Sequence, residues 1–523
     1  MEAYYRQADE ILAKMTVEQK IGQMVMASVE VTEMDEKTRN FLRVNQIGNV
    51  ILFGKNCVDR AQLAKLNRQI QDEVTAYTDG IQALLSIDQE GGPVTRIRRG
   101  ATVFPCAAAM GATGDPDLAY LQGRIMGNEM RALGIAFNLA PVLDTNGTHK
   151  KAVPTRRSFG PTARDTALYG GAYARGLRDA GLIDCGKHFP GSGDSTVDTH
   201  FATSIVHTPA QEAMEKAVRP FQQVMKEGLR AIMTSHTCYT GLEPRCIPAT
   251  LSSTILQGLV RGQLGFQGLI ISDGMQMLAI AGVYGAARGS VLAVQAGCDL
   301  VIVGNGGDNA DPEGEDVQTP CVQALRQAVK TGELSIERVN DTVRRIIAHK
   351  LMLGDLYPAA NVITRDWRAH EAFAAALAEM VVTVQRDEEK LLPLPQGALF
   401  LSRASRARLG VEEGDHLVDG FAPMAARLCK GAAVEFEQRP DLSILRERIE
   451  RAPAVVFGVA SHGEMIDCLE DLRVIRQWNP RLCLACLDVP AVAEPADFVP
   501  CLITSYDQTA NAIRAVCKVL LKG

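Results

Sequence analysis

Residues 268–275 read GLIISDGM, an apolar run that ends in a carboxylate and a glycine. Seven similar runs recur in the first 305 residues, and stretches with helical periodicity separate them: IGQMVMAS (21–28), IGNVILFG (47–54), ALLSIDQE (83–90), AFNLAPVLDT (136–145), IDCGKHFPG (183–191), RAIMTSHT (230–237) and CDLVIVG (298–304). Continuous apolar strands that alternate with helices indicate a parallel sheet covered on both faces. Eight such units predict a (β/α)8 TIM barrel, with an open doubly wound sheet as the alternative.

A chain of 523 residues is long enough for a barrel and a second, smaller domain. Beyond a linker, shorter apolar runs resume between helical stretches: ALFLSRA (398–404), AAVEFEQ (432–438), APAVVFGVA (452–460), LCLACLDV (482–489) and CLITSY (501–506). We therefore predict a barrel over 1–355, a linker and connecting helix over 356–380, and a C-terminal α/β sandwich domain over 381–523.

Composition narrows the range of partners and compartments. The net charge is −6, and basic residues are scattered, which argues against nucleic acid and anionic membranes as partners. No apolar run reaches the roughly 18 residues that a membrane span needs, and the N-terminus does not resemble a secretion signal. The 13 Cys lie mostly in apolar runs, and the one CxxC, Cys483–Cys486, has no second pair nearby. We expect reduced thiols, a cytoplasmic protein, and a monomer or homodimer.

Polar residues follow the apolar part of several predicted strands: Asp88, Asp144, Lys187, His188, His236 and Asp273. Barrel enzymes collect their reactive groups at the C-terminal strand ends, where the βα-loops converge. Asp273 ends a run that should be a central strand, and a carboxylate there is costly unless it is solvated, paired or used in catalysis. We interpret it as a catalytic carboxylate, with an N-cap role as the alternative.

The stretch LLSIDQEGGPVTRI (84–97) has the same form as the Asp273 stretch. Asp88 could accept hydrogen bonds from ligand hydroxyls, and the glycine pair would let the backbone approach a ligand closely. Arg96 and, in TRRSFG (155–160), Arg157 are candidate donors. Turn chemistry with an ordinary ion pair is the alternative interpretation.

The loop CGKHFPGSGDSTVDTH (185–200) allows three interpretations. As a metal site it lacks a compact ligand spacing, and as a phosphate cradle it lacks the P-loop spacing. The third is a mobile loop with an acid–base group, in which Asp198 orients the imidazole of His200. We favour the third.

Eight motifs in one order carry a family resemblance: IDQEGGPVTRI, FNLAPVLDTN, RRSFG, KHFPGSGDSTVDTH, IMTSHTCY, PATLS, LGFQGLIISDGMQM and AGCDLVIV. Together they resemble glycoside hydrolase family 3, and within it the bacterial β-N-acetylglucosaminidase branch in its two-domain form. The resemblance covers about residues 10–355 and continues more weakly into the second domain.

The resemblance implies a role for each matching position. Asp273 matches the nucleophile, and Asp198 with His200 matches the Asp–His general acid and base. The expected substrate-binding residues are Asp88, Arg96, Arg157, Lys187, His188, His236 and Met275. Neither a metal nor a cofactor is expected.

The implied activity is that of a retaining exo-β-N-acetylglucosaminidase. It would act on cell-wall fragments with a terminal GlcNAc linked to MurNAc or anhydro-MurNAc, during peptidoglycan recycling. A β-N-acetylglucosaminide phosphorylase or a β-glucosidase of the same family, and a non-enzymatic sugar-binding protein, are the alternatives. Two departures from the family pattern stand near the proposed site: Ser192 replaces a His, and Gly274 replaces an acidic residue.

Overall fold

The computed structural model describes residues 1–145, 155–191, 195, 199–304, 316–359, 366–404, 420–439 and 441–522. Asp198 and Ser192 lie outside these residues, as does Asp194 of the same loop.

Each of the eight apolar runs contributes one strand to a single sheet. The strands are β1 (Val25–Ser28), β2 (Asn49–Leu52), β3 (Leu84–Ile87), β4 (Phe137–Asn138), β5 (Cys185–Phe189), β6 (Ala231–Thr234), β7 (Leu269–Gly274) and β8 (Leu300–Val303). All neighbours pair in parallel, in the order β4-β3-β2-β1-β8-β7-β6-β5. The strands are buried almost throughout, because helices cover one face and barrel side chains fill the other.

Two bridges join the first and last strands of that order. Phe137 pairs in parallel with Ile183, and Val142 pairs in parallel with Lys187. These bridges close the sheet between β4 and β5, so the predicted barrel is confirmed and the open doubly wound sheet was wrong.

Helices surround the barrel: Glu2–Leu12, Val17–Gln23, Glu36–Asn45, Arg60–Tyr77, Ala107–Ala112, Pro116–Ala132, Ala163–Asp179, Ala210–Ala213, Met214–Val218, Arg219–Lys226, Thr254–Gln263, Leu278–Tyr284, Ala286–Ala296, Gln318–Lys330 and Ile336–Leu353. Polar side chains cap the N-termini of several of the long ones. Asp59 accepts the Gln62 N–H, and Thr162 accepts the Asp165 N–H. Among the described residues, no single helix has the length and apolar composition of a membrane span; one pair that meets these criteria jointly, 278–284 with 286–296, is bent by 104°.

The second domain is a six-stranded sheet. Its strands are β9 (Thr383–Asp387), β10 (Leu399–Arg403), β11 (Ala432–Phe436), β12 (Val455–Val459), β13 (Leu482–Cys486) and β14 (Cys501–Thr504). They lie in the order β9-β14-β13-β12-β10-β11. Five strands are parallel and follow the five predicted runs, whereas the edge strand β9 runs antiparallel to β14.

Helices pack on both faces of this sheet: Phe421–Cys429, Leu442–Arg451, His462–Trp478, Pro490–Ala496 and Ala510–Lys522. Each face has its own apolar core. Cys483 belongs to one core and Cys486 to the other, because residues three apart in a strand point to opposite faces. The CxxC pair therefore cannot bind one metal ion, and none of the thirteen cysteines forms a disulfide.

The connecting helix, Trp367–Val381, packs against the barrel. The ring of Phe373 meets Phe104 edge-on at 6.2 Å, and His370 Nδ1 lies 2.8 Å from Glu129 Oε1. The helix thus belongs to the barrel's apolar core, and the second sheet begins directly after it.

Candidate active site

A short hairpin follows β3 at the C-terminal mouth of the barrel. Its strands are Gln89–Gly91 and Val94–Thr95. Gln89 fixes the hairpin, since its side-chain oxygen accepts the N–H groups of Arg96 and Ile97 at 2.9 and 3.1 Å. Because side chains alternate along a strand, Asp88 and Glu90 point to the side opposite Gln89.

Asp88 and Glu90 meet two cations, one from strand β5 and one from the short helical turn Thr155–Arg157. Lys187 Nζ, on β5, donates to Asp88 Oδ1 at 2.6 Å and lies 2.6 Å from Glu90 Oε1. Arg157 donates from Nε and Nη2 to Glu90 at 2.8 and 2.7 Å. We call Asp88, Glu90, Arg157 and Lys187 the charge cluster. All four side chains are buried.

Glu90, Arg157 and Lys187 of the charge cluster are ionised at neutral pH. Burial alone would raise the pKa of Glu90, but the charges and hydrogen bonds of Arg157 and Lys187 hold it well below its usual range. Burial alone would lower the pKa of Lys187, but Asp88 and Glu90 raise it. The cluster therefore presents fixed, preorganised charges to a ligand.

Arg96, which directly follows the second strand of the hairpin, approaches the cluster. Its Nη2 lies 3.8 Å from Asp88 Oδ2, and its guanidinium lies 5.9 Å from the Phe53 ring centroid. The side chain is 3% exposed. Asp88 thus has a cation at each of its two oxygens.

His188 lies beside Lys187 and is held by Asp144. The backbone N–H of His188 donates to Asp144 Oδ1 at 3.1 Å, and Nδ1 lies 2.8 Å from Asp144 Oδ2. A carboxylate at this distance requires a proton on Nδ1, so Nε2 is the nitrogen directed away from Asp144. The ring is partly exposed, as expected for a group at the surface of a pocket.

Asp273 is the fifth residue of β7, at an irregularity in the sheet. The register with β8 shifts between Ile271 and Gly274, and Ser272 Oγ accepts the Ile302 N–H at 2.9 Å in place of a backbone acceptor. Such bulges redirect a side chain at the end of a strand. Asp273 is accordingly only half-buried, and its Oδ1 accepts the Gly274 N–H at 2.7 Å.

Three imidazoles influence the charge of Asp273. Burial alone would raise the pKa of this carboxyl, but His188, His236 and His200, with the Gly274 N–H, hold the pKa below its usual range. Asp273 is therefore an anion at neutral pH. Since Oδ1 accepts the Gly274 N–H, Oδ2 is the oxygen available to a ligand.

His236 supports β7 from below the site. Its Nε2 lies 2.9 Å from the Gly274 carbonyl, and its Nδ1 lies 2.9 Å from Thr250 Oγ1. Burial lowers the pKa of the ring, so the imidazole is neutral and carries its proton on Nε2, which donates to the Gly274 carbonyl. The side chain is 0% exposed, and its contacts in the structure are with Gly274 and Thr250, so its expected role in substrate binding stays a prediction.

Met275 is also under the site. It is 0% exposed, and its Cε lies 3.1 Å from the position that a Cβ on Gly289 would take. A Cβ on Gly274, one of the two departures, would lie 2.8 Å from Nε2 at the end of the Gln276 side chain, which would have to shift to admit it. Gln276 in turn accepts the Gly304 N–H at 3.3 Å.

His200 lies on a loop that rests on the helix following β7. The Leu278 N–H donates to the His200 carbonyl and the Ala279 N–H to the Thr199 carbonyl, both at 3.4 Å. The start of the helix that follows Asp273 therefore positions the backbone of His200. Asp198, its expected partner, lies outside the described residues.

Sequence reasoning missed two supporting residues, Glu90 and Thr250. Both were inside quoted motifs, IDQEGGPVTRI and PATLS. The period of two in a strand was a usable signal for Glu90, because it places that residue on the side of Asp88. No comparable signal existed for Thr250, which lies 14 residues from His236 in the chain.

The arrangement suits one type of chemistry. Asp273 supplies an ionised carboxylate, His188 and His200 supply partly exposed imidazoles, and the charge cluster supplies fixed polar contacts. A ligand with many hydroxyl groups could be bound by the cluster while its reacting carbon faces Asp273.

Comparisons with known proteins agree with this chemistry. The family model described as the glycosyl hydrolase family 3 N-terminal domain matches residues 16–349. A β-hexosaminidase of Psychromonas ingrahamii is 34% identical over 286 residues, which cover 54% of this chain and 82% of that protein. A β-hexosaminidase of Neisseria meningitidis serogroup C is 30% identical over 362 residues, which cover 68% of this chain and 93% of that protein.

A solved structure resembles the whole chain. The glycoside hydrolase family 3 β-N-acetylglucosaminidase from Paenibacillus sp. str. FPU-7 is 31% identical, covers 97% of both chains and superposes with a TM-score of 0.87. The family match spans most of the chain, and the match to the Paenibacillus protein includes both domains. The chain belongs to glycosyl hydrolase family 3 and is a glycoside hydrolase.

Proposed function

We propose that the protein is a retaining exo-β-N-acetylglucosaminidase in which Asp273 is the nucleophile. The observation that carries this proposal is the state of Asp273: an ionised, half-buried carboxylate at the mouth of the barrel, beside three imidazoles. A retaining glycosidase needs such a carboxylate to attack the anomeric carbon. The relatives described as β-hexosaminidases and as a β-N-acetylglucosaminidase support the choice of sugar.

In the first step, Asp273 Oδ2 attacks the anomeric carbon, and His200 gives its proton to the departing glycosidic oxygen. The products are a glycosyl ester on Asp273 and the free aglycone alcohol. In the second step, neutral His200 takes a proton from water, whose oxygen attacks the same carbon and releases the Asp273 carboxylate. We assign Asp198 to the orientation of His200, by resemblance to the family pattern.

The charge cluster binds the hydroxyl groups of the sugar. Asp88 accepts hydrogen bonds, while Arg157, Arg96 and Lys187 keep the surrounding charges fixed. His188 contributes Nε2 as a further polar contact. Because these groups are already oriented by one another, binding costs little reorganisation.

The proposed biological substrates are GlcNAc-terminated fragments of peptidoglycan, such as GlcNAc linked to MurNAc or anhydro-MurNAc. The proposed compartment is the cytoplasm, where such fragments would be recycled. The relatives support the sugar at the cleaved end, and the aglycone follows from the family resemblance.

The test is release of nitrophenol from aryl β-GlcNAc and aryl β-glucoside substrates, each with and without phosphate. We expect strong preference for the GlcNAc substrate and free GlcNAc as product. Preference for the glucoside would show a β-glucosidase. A phosphate-dependent sugar 1-phosphate would show a phosphorylase, and binding of both sugars without turnover would show a sugar-binding protein.

A further inference from the structure

We infer that the second domain is part of the substrate-binding apparatus, and that its Asp507 is a positioning residue for the charge cluster. The inference rests on the proposed function in that the cluster is taken to bind the sugar. Asp507 itself does not touch the cluster; it acts through the barrel hairpin that carries Glu90, while Ala460 of the same domain contacts the loop that carries Arg157.

Asp507 binds the barrel directly. Its Oδ2 accepts the backbone N–H of Cys106 at 2.8 Å, while its Oδ1 accepts the Thr509 N–H of its own domain at 2.9 Å. The side chain is 1% exposed. One carboxylate thus connects the backbones of the two domains.

The same oxygen lies against the hairpin that carries Glu90. A Cβ on Gly92 would lie 2.9 Å from Asp507 Oδ2 and 2.5 Å from Cys106 Cβ, so the turn packs directly against the Asp507 carboxylate and the residue that this carboxylate binds. Gly92 has φ +58° and donates its N–H to the Phe104 carbonyl at 2.8 Å. It follows Glu90 by two residues, so displacing the turn would move the carboxylate that holds Arg157 and Lys187.

A second contact reaches the loop that carries Arg157. Arg156 Nη1 donates to the carbonyl of Ala460, in the second domain, at 3.2 Å. Ala460 is itself fixed, because its N–H donates to Glu464 Oε2 at 2.8 Å. Two adjacent arginines therefore have partners in different domains. Arg156 binds Ala460 of the second domain, and Arg157 binds Glu90 of the barrel.

Both contacts come from one edge of the second sheet. Ala460 directly follows β12, and Asp507 lies three residues after β14. Open α/β sheets bind their ligands at this carboxyl edge. Here the edge binds the loops of the barrel, which explains how a separate sheet can determine the geometry of a sugar site that it does not contain.

The test compares Asp507→Ala and the nearly isosteric Asp507→Asn with Asp471→Asn. Asp471 is also a buried carboxylate of the second domain, but it binds Arg439 on that domain at 2.8 Å. On the aryl glycoside that the wild type cleaves best, we expect the Asp507 variants to raise KM roughly tenfold and to change kcat less than about threefold, because ground-state binding is affected and not the reacting atoms. Asp471→Asn should keep KM within about twofold of wild type.

Alkylation of Cys106, mapped by peptide mass spectrometry, gives a readout independent of activity. Cys106 is 1% exposed, and its Sγ contacts the Tyr506 carbonyl at 3.1 Å. If the contact between residues 506–507 and Cys106 loosens, Cys106 should be alkylated faster in the Asp507 variants than in wild type or Asp471→Asn. A folded Asp507→Asn with wild-type KM and wild-type Cys106 reactivity would overturn the inference, as would an equal rise of KM in Asp471→Asn. Failure of the proposed function would instead appear in the wild type, as the absence of GlcNAc-glycoside cleavage.

Discussion

Arg157 and Glu90 form a bidentate ion pair at the barrel mouth, with Nε and Nη2 donating to the carboxylate at 2.8 and 2.7 Å. Lys187 Nζ shares Glu90 Oε1 with that guanidinium, at 2.6 Å. Glu90 thus separates two buried cations, each of which is proposed to support the sugar. Glu90 therefore orients Arg157 and Lys187 and balances part of their positive charge, and both effects should be measurable.

Glu90→Gln should strongly reduce both stability and activity. The neutral amide leaves Arg157 and Lys187 without a shared counter-ion, and removing one member of a buried ion pair costs about 3–5 kcal/mol of unfolding free energy. We also expect kcat/KM to fall by about 100-fold, since the cluster loses its arrangement. Urea unfolding and steady-state kinetics on the aryl GlcNAc substrate measure the two effects.

Glu73→Gln is the matched control for that variant. Glu73 is as buried as Glu90, at 8% exposed, and it also pairs with two cations, Arg39 and Arg43. It lies on the outer helix Arg60–Tyr77. Glu73→Gln should lose stability and keep its kcat/KM. Equal kinetic losses in both variants would contradict a specific role for Glu90.

The barrel could be predicted because its signal is repeated. Eight buried strands give eight apolar runs, and each run coincides with one strand of the closed sheet. The edge strand Thr383–Asp387 was not predicted, because one antiparallel strand at an edge has exposed residues and no continuous apolar run. Its pairing partner is also 114 residues or more away, beyond any local pattern.

Candidate site residues could be found where they end strands, but their individual environments could not. Lys187 and His188 are adjacent in sequence, yet one is buried in the charge cluster and the other is partly exposed. The sequence indicated that Asp144 follows a strand, but it did not indicate that Asp144 binds His188. The contact of Asp507 with Cys106 joins residues 401 positions apart, and no local pattern specifies such a pair.

Asp144→Asn should impair catalysis with little loss of fold. The two carboxylate oxygens of Asp144 accept the backbone N–H and the ring Nδ1–H of His188. The amide of Asn has only one oxygen, so it can accept only one of these two hydrogen bonds. Hydrogen bonds to charged groups contribute about 1.5–3 kcal/mol, so kcat/KM should fall by roughly 10- to 100-fold. Asp184→Asn, just before the opposite end of β5, serves as the control and should lower the melting temperature while leaving kcat/KM near wild type. Unchanged kinetics in Asp144→Asn would remove Asp144 from the site.

The roles of Asp273 and His200 can be separated by leaving group. Asp273→Ala should abolish turnover of every glycoside, because no ester can form. His200→Ala should slow substrates with poor leaving groups far more than activated aryl glycosides, which depart without a proton. In His200→Ala with activated substrates, the ester on Asp273 should accumulate, and it should be visible as an increase in protein mass of one GlcNAc residue.

Azide provides the control for His200→Ala. It attacks the ester without needing a general base, so it should restore turnover of activated substrates in His200→Ala and give the β-glycosyl azide. Asp273→Ala should not yield this β-glycosyl azide. Equal losses on good and poor leaving groups in His200→Ala would contradict an acid–base role for His200.

Asp507 should make the stability of the two-domain protein depend on pH. Burial raises the pKa of Asp507 to about 6, although Arg156 and the N–H groups of Thr509, Cys106 and Gln508 oppose this shift. In the unfolded chain an Asp titrates near pH 3.9. The folded protein therefore binds the proton more tightly, and the stabilisation it provides is complete below about pH 4 and is lost as pH rises through about 6.

The measurement is the difference in unfolding free energy between wild type and Asp507→Asn, taken at several pH values from about 4 to 7. The neutral Asn resembles the protonated Asp and does not titrate, so the subtraction cancels the groups that the two proteins share. A shift of about two pKa units corresponds to about 3 kcal/mol. As the pH rises from about 4 to 7, the unfolding free energy of the wild type should therefore fall by roughly that amount relative to Asp507→Asn. A difference that stays constant over this range would mean that Asp507 is equally easy to ionise in the folded and unfolded chains, and that the charge of Arg156 and the N–H donors, Cys106 among them, fully offset the effect of burial on its pKa.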